Sequence, residues 1–277
     1  MGDKIIHLND IKLMIKATKE EIAFCKSKKL DTVDGVTHFF STRDGGVSTG
    51  IFRSLNFGTH HGEADNMAQN LEILRTALRA DNVKFIIPKQ THSDIIAVID
   101  HQTIDDSFEN TDAVITNLKR VMVCIKTADC VPILLVDPEK RVVGAVHAGW
   151  RGTAQNIVGK TIEKMQQVFG SNPLSLIAAI GPCIGQTNYE VGSDVIVAIE
   201  SQLNLPEKAI EKKENTNDKF NLNLTEANFQ LLTQAGLKGE NIDLLYHCTY
   251  ANSKEFYSAR RDGHKTGRML NGIGMIT

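Results

Sequence analysis

Residues 124–152 read CIKTADCVPILLVDPEKRVVGAVHAGWRG. Two apolar runs, VPILLVD and VVGAVHA, flank the turn residues PEKR, which predicts strand, turn, strand. A glycine-rich step then leads into a helix. This reading sets Cys130 just before one strand and His147 at the end of the next. Strands leaving a sheet hold such side chains in a fixed cleft. A thiol and an imidazole held together bind a metal, or act as nucleophile and base.

Outward from this stretch, AVIT (residues 113–116) and VMVCIK (121–126) predict two more strands. Residues 36–41 (VTHFFS) alternate like a strand and run into the glycine-rich loop TRDGGVSTG. Residues 65–79 carry Met67, Leu71, Leu74 and Leu78 at helical spacing. Residues 84–87 and 95–99 predict short strands, the first stopped by Pro88. Residues 153–169 predict one helix, with Thr153 as a cap, and residues 176–180 a strand ending in GPCIG. Helices are expected at 193–203 and 224–235, a strand at 243–249, a polar surface loop at 208–221, and a basic flap or solvated tail at 257–268. The first 30 residues predict an edge strand and a short helix. Strands and helices mix without strict alternation, so the expected class is a mixed α/β (α+β) layered domain rather than a doubly wound sheet. Residues 1–33 read as an N-terminal extension of the domain spanning 34–277.

The chain has 277 residues, 42% hydrophobic and 23% charged, an ordinary globular composition. A net charge of −2 gives no basic footprint for nucleic acid. No apolar run approaches the roughly 20 residues that span a bilayer, and the N-terminus lacks the core of a secretion signal. Five cysteines, an odd number, do not form a disulfide framework. The expectation is a cytoplasmic protein with reduced thiols and no membrane partner, either monomer or homodimer.

Three residues stand out: His92 in KQTHSD, Cys130 in TADCVP and His147 in HAGWRG. Two imidazoles and a thiolate suit zinc and leave a fourth position open, as in a catalytic site. Their spacings match no local zinc signature, and a core thiol is an equally simple reading of Cys130. Cys130 as a cysteine hydrolase's nucleophile with His147 as base is a further alternative. The adjacent Asp129 is a candidate to orient that His, but neighbouring strand residues point to opposite faces. Copper accepts the same donors, yet the nine histidines contain no H-x-H pair of the kind a multicopper oxidase uses. Arg151, between Gly149 and Gly152, and Arg43 in STRDGG are cations suited to phosphate. Asn56 in SLNFG either contacts substrate or closes its own turn. Trp150 reads as core, as do Cys183 and Cys248; His7, His38, His60, His61 and His101 read as surface or packing residues.

Taken in order, STRDGGVS, SLNFG, KQTH, TDAVIT, TADCVP, HAGWRGT, IGPCIG, YEVG, CTY and RRDGHKTGRM resemble the bacterial YfiH/YlmD-type proteins, labelled polyphenol oxidase or laccase-domain proteins. The match runs from Ser41 to Met269, with Ser93 where the family often has Gly. The resemblance implies two β-sheets packed face to face with helices outside, in one YfiH-like catalytic domain. It implies His92, Cys130 and His147 as ligands of Zn2+, with Cu2+ as the alternative. It implies purine nucleoside phosphorylase activity on adenosine, inosine or methylthioadenosine, yielding free base and ribose 1-phosphate, together with adenosine deaminase activity. The older label implies a copper-dependent polyphenol oxidase. Arg43, Asn56 and Arg151 are the expected substrate and phosphate contacts.

Overall fold

A computed structural model describes residues 11–16, 21–59, 63–201, 209–213 and 218–276. The strands are β1 (Ile11–Lys16), β2 (Glu21–Lys26), β3 (Val36–Ser41), β4 (Lys84–Ile86) and β5 (Ile96–Ile99). They continue with β6 (Ala113–Thr116), β7 (Val121–Thr127), β8 (Val131–Asp137), β9 (Val142–Ala148) and β10 (Ile177–Ile180). The last are β11 (Glu190–Gly192), β12 (Ile210–Lys212), β13 (Lys219–Leu222), β14 (Ile242–Leu244) and β15 (Met269–Met275). The helices are α1 (Ala64–Ala77), α2 (Trp150–Ala154), α3 (Ile157–Phe169), α4 (Ser193–Glu200), α5 (Leu224–Gln234) and α6 (Ala259–Asp262).

Two six-stranded sheets form, in the orders β1-β2-β3-β15-β7-β4 and β14-β10-β8-β9-β6-β5, with a small sheet β11-β13-β12. Strand parity sorts their side chains into layers. On β7, Val121, Val123 and Ile125 share a core with Leu134, Val136, Val143 and Ala145 of the second sheet. This is the face-to-face contact. Met122 and Cys124 point the other way and pack with Leu74 and Ala77 of α1. Ile133 and Leu135 of β8 turn outward to Ile162 and Met165 of α3 and Leu231 of α5. Both faces of each sheet are therefore covered. That is why β7, β8 and β9 read as nearly continuous apolar runs rather than as alternating strands.

Several expectations are corrected. The helix expected over 153–169 is two helices, because Asn156 takes a left-handed φ of 55° and caps α3 by accepting from the Gly159 N–H. Thr153 lies inside α2, not at its cap, and its buried hydroxyl accepts from Asn228 Nδ2 at 3.0 Å. The described part of 208–221 supplies β12 and β13 rather than a loop. The strand expected over 243–249 stops at Leu244. In place of a short helix near the N-terminus, β1 and β2 pair antiparallel and a 3-10 turn follows at Leu30–Thr32. His7, His60 and His61 lie outside the described residues, as do 202–203 of the helix expected over 193–203.

The largest omission is β15, which pairs with both β3 and β7 in the middle of its sheet. Gly272 and Gly274 hide it, because glycine has low strand propensity. A side chain at Gly272 would lie 2.6 Å from Cys124 Sγ and 2.8 Å from Phe39 Cε1. The close packing of β15 excludes the residues that would have announced a strand.

Candidate metal centre

Cys130 precedes β8, His147 sits near the end of β9 and Asp112 precedes β6. The register pairs Pro132 with His147 and Ala113 with Val146, so these three meet at one end of the second sheet. By parity with Leu134, Ala145 and Val114, all three belong to the face turned toward the first sheet. They line the rim of the sandwich interior.

Ligand-type atoms of His92, Cys130 and His147 all lie within 4.8 Å of one another. Cys130 Sγ is 3.7 Å from His92 Nε2, and the two imidazole rings meet edge-on with centroids 4.9 Å apart. His147 is buried, Cys130 half-buried and His92 exposed, so the cluster opens to solvent on the His92 side.

Asp112, wholly buried, organises the site. Its Oδ1 lies 2.7 Å from His147 Nδ1. A carboxylate only accepts, so Nδ1 carries the proton and Nε2 is left for the cluster. The same carboxylate accepts from the backbone N–H groups of Thr91 (3.1 Å), His92 (3.1 Å) and Ser93 (2.7 Å), and from the Ser93 hydroxyl at 2.7 Å. These bonds hold His92 at a left-handed φ of 62°, a conformation that costs about 1–2 kcal/mol for a residue with a side chain. Gln90 ties the same loop to β7: its Nε2 donates to the Lys126 carbonyl at 2.8 Å and its Oε1 accepts from the Lys126 N–H at 2.7 Å.

Burial alone would raise Cys130, but the imidazoles of His147 and His92 outweigh it and bring the thiol down to about 6. Burial would lower His147, but the charge of Cys130 and the hydrogen bond His147 donates to Asp112 push it up to about 9. Burial would raise Asp112, yet His147 and Ser93 hold it well below the usual carboxylate range. The sulfur is thus poised as a thiolate, the form a metal requires. Gly149 completes the cradle: a Cβ there would stand 3.0 Å from both Cys130 Sγ and His92 Cδ2. Two imidazoles, a thiolate and space between them fit zinc, and the donor types also accept copper.

Asp129 does not orient His147. It adopts φ 98° and turns its carboxylate to Thr249 Oγ1 (2.6 Å), Ser258 Oγ (3.0 Å) and the Arg260 N–H (2.7 Å). It anchors the segment expected to be a flap or tail. Sequence reasoning missed Asp112 as the orienting residue, although it stands in the TDAVIT motif.

The other expected contacts are placed differently from the cluster. Asn56 is wholly buried, and its Oδ1 accepts from the N–H groups of Gly58 (2.8 Å) and Arg268 (2.9 Å). It closes its own turn. Arg43 donates to the carbonyls of Arg53 and Ser253 and stacks 4.4 Å from the Tyr257 ring centroid. It lines a cleft of about 440 Å³ with Arg53 and Lys254, and no member of the His–Cys–His cluster lines that cleft. Arg151 is exposed, its guanidinium 4.3 Å over the half-buried Trp150 ring.

A family described as multi-copper polyphenol oxidoreductase laccase matches residues 37–276. A purine nucleoside phosphorylase of Bacteroides thetaiotaomicron is 34% identical over 269 residues, covering 94% of this chain and 98% of that protein. Adenosine deaminase RL5, from an unknown prokaryotic organism, is 33% identical over 263 residues, covering 92% of this chain and 97% of that protein. The crystal structure of YlmD from Geobacillus stearothermophilus superposes with a TM-score of 0.85 at 30% identity, covering 97% of this chain and all of that one. Among the described residues, no helix is long and apolar enough to cross a membrane. With the sandwich, the cluster and these likenesses together, the chain belongs to the laccase-domain family that includes YlmD and YfiH.

Proposed function

We propose that this protein is a zinc-dependent purine nucleoside phosphorylase that also deaminates adenosine, with His92, Cys130 and His147 as the metal ligands. The observation that carries the reading is the convergence of the three donors within 4.8 Å at an open rim. The names of the relatives, at 33–34% identity over more than nine-tenths of this chain, supply the substrate class. The chemistry a zinc ion supplies there is Lewis acidity, which makes water a nucleophile near neutral pH.

The chain's own residues do the rest. Asp112 fixes the tautomer of His147 and the backbone of His92, so the donors are oriented before substrate arrives. Burial of His147 closes the inner side of the cluster, and the exposed edge at His92 gives the nucleoside its way in. Exposed Arg151, four residues after His147, attracts phosphate to this rim. Asn56 and Arg43 act through the loops they hold. The site lies in the domain formed by residues 34–277, to which residues 1–33 are an extension.

Purified protein incubated with inosine and phosphate is expected to release hypoxanthine and ribose 1-phosphate, and adenosine is expected to give inosine. Chelation or His147→Ala should abolish both, with loss of bound zinc. Full turnover after chelation would sink the reading. Oxygen uptake with a phenol and a copper content above one per chain would support the oxidase label instead.

A second reading has its own observation. Cys130, His147 and Asp112 stand in the order nucleophile, base, orienting acid. A cysteine hydrolase would keep its activity in chelator and lose it to a thiol alkylator.

A further inference from the structure

The chain leaves the first sheet at Thr127, the end of β7, and enters the second at Val131, the start of β8. Ala128, Asp129 and Cys130 make the whole crossing. Asp129 takes φ 98° at this corner, a conformation that costs a residue with a side chain and persists only where its surroundings impose it. Glycine would take the same turn freely. Here the sequence keeps a side chain at the corner and ties it to one distant segment. Cys130 is the next residue, so the aim of its sulfur follows from how the corner is held.

Asp129 is held from outside both strands. Its carbonyl accepts from the Ile184 N–H at 3.0 Å. Its Oδ1 accepts from Thr249 Oγ1 at 2.6 Å, and its Oδ2 from Ser258 Oγ at 3.0 Å and the Arg260 N–H at 2.7 Å. These donors belong to a unit braced within itself. The Thr249 N–H donates to the Cys183 carbonyl at 2.9 Å. Ser258 Oγ accepts in turn from the Arg261 N–H at 3.2 Å. The Arg261 guanidinium donates to the carbonyls of Thr249 (2.8 Å), Tyr250 (2.8 Å) and Phe256 (2.9 Å). Thr249 and Ser258 are wholly buried, and Asp129 is buried with them. On its other side the sulfur has little slack: it lies 3.7 Å from His92 Nε2, and a Cβ on Gly149 would already stand 3.0 Å from it. A small rotation of the corner therefore carries Sγ off its approach to the two imidazoles.

We propose that Asp129 is the positioning residue of the thiolate, through which the segment from Thr249 to Arg261 holds Cys130 Sγ in line with His92 and His147. The assignment rests on the metal-ligand reading above and adds to it a support for the third donor, as Asp112 supports the other two. It acts by geometry. An asparagine keeps the shape, with its carbonyl accepting from Ser258 and Arg260 while the Thr249 hydroxyl turns to accept from its amide. Glycine keeps the turn and loses the three side-chain bonds. Alanine loses the bonds and is strained at this φ as well.

The test is titration of the metal-stripped full chain with Co2+, whose thiolate charge-transfer band reports sulfur–metal bonding. Asp129→Ala should weaken Co2+ binding about 10–100-fold and diminish the band, the usual scale for a residue that orients a ligand. Asp129→Gly should lose less, and Asp129→Asn should stay within about threefold of wild type, on the same scale. Wild-type affinity and band in D129G overturn the proposal. D129N as impaired as D129A also overturns it, because the effect would then belong to the charge. Where D129A does not fold, Thr249→Val takes its place: it removes one bond, keeps Asp129, and should weaken Co2+ binding in the same direction, unchanged binding counting against the proposal. Crystal structures of metal-free wild type and D129G separate this claim from the metal reading. If wild type binds Co2+ without the band, the metal reading falls. In that case Sγ displaced by about 1 Å or more in D129G still supports Asp129 as the positioning residue, and Sγ left in place overturns it.

Discussion

Asp112 Oδ1 lies 2.7 Å from His147 Nδ1, while the backbone N–H of His92 reaches the same oxygen at 3.1 Å. One buried carboxylate therefore sets the ring of one donor and the main chain of another. Asp112→Asn keeps the shape but removes the charge, and an amide nitrogen turned to His147 Nδ1 donates to it and leaves the ring proton on Nε2, the atom the cluster needs. Turnover or metal affinity is expected to fall about 10–100-fold, read by kinetics and by metal titration. An Asn variant with wild-type metal affinity and rate would show that the carboxylate positions nothing.

Gly149 is required by space. A methyl there would press on Cys130 Sγ and His92 Cδ2 at 3.0 Å each. Gly149→Ala should cut activity by about two orders of magnitude while the protein remains folded, since small misplacement of reacting groups is that costly. The far-UV spectrum and melting curve check the fold, and the initial rate checks the site.

In metal-stripped protein, Cys130 should react with iodoacetamide as a thiolate. Its reactivity is expected to rise through about pH 6, against the ordinary thiol value of 9.0, because His147 and His92 outweigh the burial that would raise it. Burial pushes Cys183 up to about 12 and Cys124 well above its ordinary value, so both should stay unlabelled below that range. Mass spectrometry of labelled peptides across pH reads the result. Replacing His147 by Ala should move the midpoint upward; an unchanged midpoint would remove His147 as the cause.

His38 should shape the acid limb of stability. It is wholly buried, its Nε2 accepts from the Ser27 N–H at 2.8 Å, and its Nδ1 has no hydrogen-bond partner. Burial, then the Lys26 charge, lowers it to about 3. The Asp31 carboxylate 3.5 Å away favours protonation, but it is half-exposed and loses to burial. The unfolded chain takes up this proton near 6.5 and the folded chain does not, so stability is full above 6.5 and falls as pH drops toward 3. The slope reaches about 1.4 kcal/mol per pH unit. Cys130 and His147 also titrate toward the upper end of the window between 4.5 and 6.5, so His38 is isolated there by the difference in slope between wild type and a His38 variant. Urea melts of wild type and His38→Gln across that window check it; identical slopes would refute the assignment.

The amino-acid order by itself determined β6 to β9, because each strand is covered on both faces and so keeps an unbroken apolar run from Ala113 to Ala148, interrupted only at its turns. It also set Cys130 and His147 at strand ends, where sheets present functional groups. Tertiary structure alone decided the rest. β15 became a central strand because its glycines are demanded by neighbours from distant parts of the chain, Phe39 and Cys124. The role sought for Asp129 fell to Asp112, because a left-handed turn at Asp129 sends its carboxylate to residues 249–260 while β6 and β9 bring Asp112 beside His147. Periodicity records what each residue meets along its own strand or helix. Which distant groups share a rim depends on how two sheets stack, and that information is spread over the whole core.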